Sequence, residues 1–169
     1  MIPISRPSRS STPSSKRSTR PAVGIEIGLV PEQDPVLVDT DVASALYLER
    51  YYGRRVSASL ARSLATRQLA VSLITLGEAH YGARKRKWGP PRTSRMLAFY
   101  QEMFDVIPLA DEVVAAEYGY LRASTESVGQ PIADNDLWIA ACATANGLPL
   151  ATLNRRHFEP LTIFGLTLL

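Results

Sequence analysis

From residue 36 onward, short apolar runs alternate with longer stretches of helical spacing. The first run, VLV at 36–38, leads straight into Asp39, with Asp41 two positions later. A run this short and β-branched reads as a strand buried on both faces. DVASALYLERYY then carries Val42, Leu46 and Leu48 or Tyr47 on one side and closes near Gly53, which predicts a helix. VSASLARSLATRQ predicts a second, with Leu60 and Leu64 four apart. LAVS at 69–72 is a candidate strand, and TLGEAHYGARKRK a helix capped by Ser72 or Thr75, placing Glu78 in its first turn or two. After the break at WGPP, PRTSRMLAFYQEMF starts well at Pro91 and leads to the strand VIPL. ADEVVAAEYGYLRASTESVG reads as a long amphipathic helix ended by Gly129. NDLWIAACATANG is apolar nearly all round, hence a buried helix with Gly147 as its C-cap. LPLATLN and LTIFGLTLL read as two closing strands. Such alternation implies an α/β fold around a mostly parallel sheet.

Composition changes this picture mainly at the N-terminus. Residues 1–22 hold Arg6, Arg9, Lys16, Arg17 and Arg20 and no acid, while the remaining chain holds 14 basic and 16 acidic side chains. The net charge of +3 therefore belongs to the tail, and pI is no argument for nucleic-acid binding by the fold. The Ser, Arg and Pro richness of the tail predicts disorder, so residues 1–35 are assigned as a basic tail and lead-in and residues 36–169 as one folded domain. The tail lacks the apolar core of a secretory signal, and no apolar run is long enough to cross a membrane. The single cysteine, Cys142, lies in LWIAACATA, which fits a small core residue in a reducing, cytoplasmic setting.

Three acids stand out for placement. Asp39 ends the first strand, Glu78 sits early in the helix after the second, and Asp136 opens the buried helix, with Asp134 just before it. Strand ends and helix starts share one edge of a parallel sheet. Taken singly, each acid has a structural reading: Asp39 and Asp136 (with Asn135) as helix caps, Glu78 as a partner for a helix dipole. Taken together they favour a site for a hard cation, which would relieve their mutual repulsion and could activate water against a phosphodiester.

VLVDTDVAS, AVSLITLGEAHYGA and PIADNDLWIAACATANGLPLATLNRRHF, in this order, resemble the successive signature blocks of PIN-domain ribonucleases of the VapC type, the toxin components of bacterial toxin–antitoxin modules. The resemblance covers roughly residues 36–169. It implies a three-layer α/β/α fold, an endoribonuclease using Mg²⁺ or Mn²⁺, an RNA substrate such as tRNA or rRNA, a homodimer, and silencing by a cognate VapB-type antitoxin. It matches Asp39, Glu78 and Asp136 to the first three acids of the family, as catalytic and metal-binding residues. Asp134 falls where some members carry an additional acid. The last block departs from the pattern, because His157 stands where an Asp or Glu usually precedes the Phe. Asp134 or Asn154 would then take its place in the metal site, or a second metal would bind weakly. Thr40 and Thr152 resemble small polar residues lining it, and Asp41 keeps at most an outer or capping role.

Arg155 and Arg156 follow a strand end at the same edge and are candidate RNA contacts. Arg84, Lys85, Arg86, Lys87, Arg92 and Arg95, with Trp88 among them, could track RNA. As the far end of the Glu78 helix, they read slightly better as a solvated terminus suited to the helix dipole. Two other functions compete. Asp39-Thr40-Asp41-Val42 matches the nucleophile motif of haloacid-dehalogenase-type phosphatases, although no lysine follows Lys87. The His157 departure also admits a catalytically impaired RNA-binding domain.

Overall fold

The computed structural model describes residues 33–169, so the basic tail, residues 1–32, lies outside the described residues. Four strands form one parallel sheet in the order β3-β2-β1-β4: β1 Gln33–Val38, β2 Arg67–Ser72, β3 Asp105–Ile107 and β4 Leu150–Ala151. Residues 33–35, expected as lead-in, belong to β1. The ladder to β2 slips between Gln33 and Val36, where Pro35 has no N–H to donate. The helices are α1 Thr40–Tyr52, α2 Ala58–Leu64, α3 Leu73–Lys85, α4 Pro90–Met103, α5 Glu112–Ser127, α6 Asp134–Asn146 and α7 Arg155–Phe158. None of them is long and apolar enough to cross a membrane.

Alternation along the strands divides the interior into two cores and makes the molecule three-layered. Val36, Val38, Val71 and Ala151 face one side, against Val42 and Tyr47 of α1, Leu64 of α2, and Met96, Phe99 and Tyr100 of α4. Leu37, Ala70 and Leu150 face the other, against Leu121 of α5, Leu137, Ile139 and Cys142 of α6, and Phe158. Cys142 is fully buried, and burial pushes its thiol up to about 11, as a core residue rather than a nucleophile requires. Gly53 and Gly147 end α1 and α6 with left-handed φ of 66° and 68°, which fits glycine at both expected C-caps.

The expected last strand is not formed. Residues Glu159–Phe164 make a 3-10 helix, Gly165 turns the chain at φ 105°, and Leu168 makes a single bridge with Leu150. Leu161 and Leu166 are buried, so the apolar run covers the α5–α6 core rather than extending the sheet. Helix α7 had no counterpart in the sequence pattern.

Strand order reverses at β1, which continues to β2 on one side and pairs with β4 on the other. In an open parallel sheet the carboxyl ends of such strands diverge and leave a crevice. Asp39 follows β1 and Thr152 follows β4, so the sequence places polar side chains at that point.

Candidate active site

Asp39 both caps α1 and faces the crevice. Its N–H donates to Ala151 O (2.9 Å), continuing the β1–β4 ladder. Its Oδ1 accepts from Thr40 N–H (2.6 Å), and its Oδ2 accepts from Thr152 Oγ1 (2.9 Å). The helix-cap and site readings are therefore compatible, because the two oxygens serve different donors. Only 6% of Asp39 is exposed. Burial pushes its carboxyl up to about 6, the Asp41 charge and then Asp136 pushing the same way, against the Thr40 and Thr152 hydrogen bonds.

Glu78, in the second turn of α3, is held from both sides. Thr40 Oγ1 donates to Oε2 and Asn135 Nδ2 donates to Oε1 (2.6 Å). Asn135 is the residue that sequence reasoning missed: it read as part of a helix cap, but Ala133 is the cap of α6. Asp136 is half-buried, and burial raises its pKa despite the facing His157 imidazole, with Glu78 and Asp41 adding to the rise. Asp136 thus lies within electrostatic reach of Glu78, and Asp39 within reach of Asp136.

The other candidates divide. Asp134 is exposed and ion-paired to Arg122, whose Nη1 also donates to Tyr118 Oη (2.9 Å), so it is engaged outside the cluster. His157 Nδ1 lies 3.1 Å from Asp136 Oδ2 and 2.9 Å from Asn154 Nδ2. Carrying a proton there, the ring donates to Asp136; without it, the ring accepts from Asn154. The Asn154 side chain thus reaches the cluster through His157, while its backbone N–H donates to Thr152 Oγ1 (3.0 Å), the donor to Asp39. Arg155 donates to Leu169 O (2.7 Å) and lies 3.9 Å from Glu159, and both it and Arg156 are exposed.

Asp41 is a structural clamp. Both its oxygens accept from Leu153 N–H (3.1 Å each), tying α1 to the turn that carries Asn154 and His157. Asp41→Ala should lower the stability of the domain by about 1–2 kcal/mol, since the Leu153 amide loses a charged acceptor. A denaturant midpoint, with faster hydrogen exchange at Leu153, checks it.

Among the described residues no three carboxylate, imidazole or thiol side chains converge tightly enough to hold one ion between them. The donors present still suit a hard cation. Mg²⁺ characteristically takes one or two carboxylates and completes its shell with water and phosphate oxygens. Asp39 and Asp136 are oxygen donors whose charge is costly where they lie, which a cation would offset.

The PIN domain family profile matches residues 36–160. The chain belongs to the PIN domain family. Ribonuclease VapC1 of Methanocaldococcus jannaschii is 30% identical over 135 residues, covering 80% of this chain and 87% of the relative. The tRNA(fMet)-specific endonuclease VapC of Shigella flexneri is 33% identical over 92 residues, covering 54% of this chain and 68% of the relative. Among solved structures, VapBC-1 from nontypeable Haemophilus influenzae is 25% identical, with a TM-score of 0.64 over 81% of this PIN domain chain and 97% of the other. VapBC2 from Rickettsia felis, bound to a promoter DNA fragment, supports the fold with a TM-score of 0.65 at 24% identity, covering 81% and 98%.

Proposed function

We propose that this PIN domain is a cytoplasmic, metal-dependent endoribonuclease of the VapC kind, working as a homodimer and silenced by a cognate VapB-type antitoxin. The observation that carries the reading is that Asp39, Glu78 and Asp136 lie at or near the starts of α1, α3 and α6, with Glu78 bonded to Thr40 and Asn135, the chain neighbours of the other two. Ribonuclease relatives and VapBC neighbours support the substrate class and the partner.

A Mg²⁺ or Mn²⁺ ion, if bound there, would supply an acidified water and positive charge against the phosphate. Asp39 and Asp136 would hold it. Glu78, fixed by Thr40 and Asn135, orients the attacking water. Water attacks phosphorus, the bond from phosphorus to the 3′ oxygen breaks, and the products are a 5′-phosphate and a 3′-hydroxyl. Asp41, which a phosphatase of the haloacid-dehalogenase type would need free as a proton donor, accepts the Leu153 N–H instead.

The test is to incubate the protein with tRNA, rRNA and a phosphomonoester, with Mg²⁺, Mn²⁺ or EDTA. Cleavage of RNA ending in a 3′-hydroxyl, abolished by EDTA, is expected. Monoester turnover with intact RNA contradicts the proposal.

A further inference from the structure

A groove of about 810 Å³ starts at Thr40 and Glu78 and runs along α3 to Lys85, Arg86, Trp88 and Arg92. Glu78, Gly82 and Lys85 lie four and three residues apart, hence on one helix face, and Lys85 is about 10 Å beyond Glu78 along the axis. Arg86 packs over Gly82, with its Nη1 2.7 Å from where a Cβ would stand. Lys87 adopts a left-handed φ of 52° and turns the chain, so that Trp88 N–H donates back to Ala83 O (3.0 Å). The basic cluster that reads in sequence as a solvated helix end is thus folded into the same groove as the acid.

Charge and aromatic surface in this groove match a nucleic-acid strand. Arg54, Lys85, Arg86 and Arg92 line it, and none is paired with a carboxylate of the described residues. Glu78, at one end, is the only acid among the lining residues. The Arg92 guanidinium lies 3.9 Å from the Trp88 ring centroid and 5.2 Å from that of Tyr52, so two aromatic rings hold it. Tyr52 and Tyr81 also line the groove and are 45% and 63% exposed, leaving ring surface open for stacking. The Tyr47 hydroxyl, also on the lining, sits beside Tyr52 and Arg92, so the aromatic and basic side chains of the groove form one cluster.

We propose that the groove seats single-stranded RNA flanking the scissile phosphate, with phosphates against Lys85, Arg86 and Arg92 and bases stacked on Tyr81 and Tyr52. The proposal rests on the nuclease reading for its substrate but can fail separately from it. Binding of a short fluorescent oligouridylate should be measured against salt for the wild type, for the Lys85→Gln/Arg86→Gln double variant and for Tyr81→Ala, with thermal unfolding confirming that these surface changes leave the fold intact. The double variant should bind about tenfold more weakly, with the salt slope reduced by about 1.4 for two lost phosphate contacts on a single strand. Tyr81→Ala should lose about five- to a hundredfold in affinity with the slope unchanged. Unchanged affinity and slope in the double variant overturn the proposal even if the protein cuts RNA. So does wild-type binding of polyglutamate as tight as that of oligouridylate, which would make the groove a seat for an acidic protein segment. Groove-dependent RNA binding without any cleavage would instead sustain the groove and defeat the nuclease reading.

Discussion

Asp39→Asn is expected to make the metal-free protein more stable and to remove its RNA cleavage. Asp39 is almost wholly buried, and its carboxyl is pushed from 3.8 up to about 6. The folded state therefore holds a proton that the unfolded state has released between about pH 4 and pH 6, and the stability this supplies is lost as pH rises through that window. The loss is about 2–3 kcal/mol at 1.36 kcal/mol per unit. Asparagine fits the same space, can still accept from Thr40 N–H, and carries no charge. In EDTA the variant should unfold about 2–3 kcal/mol harder than the wild type above pH 7, and the difference should close near pH 4. Its cleavage rate should fall by about two to three orders of magnitude, because a metal-binding carboxylate supplies several kcal/mol at the transition state. A residue that served only as a helix cap would behave otherwise, since Asp and Asn cap about equally well. Denaturant midpoints across pH, set beside single-turnover rates, separate the two.

Phe158→Ala is expected to have the largest effect on stability. Phe158 is fully buried in the core shared with Leu137 and Leu161, and it anchors α7 beneath the site. Truncating a buried Phe costs about 3–5 kcal/mol through lost transfer energy and the cavity left behind. In a domain of this size that lowers Tm by about 10 °C, read by calorimetry. The adjacent His157 and Asn154 lose their support, so cleavage below the new Tm should also fall. A core residue is thereby tied to the geometry around Asp136.

The parts of the fold that were legible in the sequence are those whose periodicity is unambiguous. VLV, with β-branched residues bounded by an Asp, could be little but a buried strand, and DLWIAACATA could bury itself on all sides only as a helix. LTIFGLTLL was not legible, because a short apolar run fits a strand or a covering segment equally well. Pro160 and Gly165 decide in favour of the covering segment, through the 3-10 turn and its left-handed exit. At the site, the acids were legible by position at strand ends and helix starts, but their neighbours were not. Asp134, Asn135 and Asp136 occupy the first three positions of α6, where successive side chains point about 100° apart. Which of them meets Glu78 depends on where the helix begins, and it begins one residue after Ala133. Asp134 consequently turns to Arg122, and Asn135 turns to Glu78. The Arg155 contact was equally hidden: it donates to Leu169 O, fourteen positions away in the chain, which no local pattern reveals.

The most direct test of the central claim is the rate of RNA cleavage as a function of Mn²⁺ concentration for the wild type, Asp39→Asn and Asp136→Asn. Expected are a saturable metal dependence in the wild type, no cleavage in EDTA, and loss of cleavage by about two orders of magnitude or more in both variants. Metal-independent cleavage, or variants that cut RNA at the wild-type rate, would contradict it.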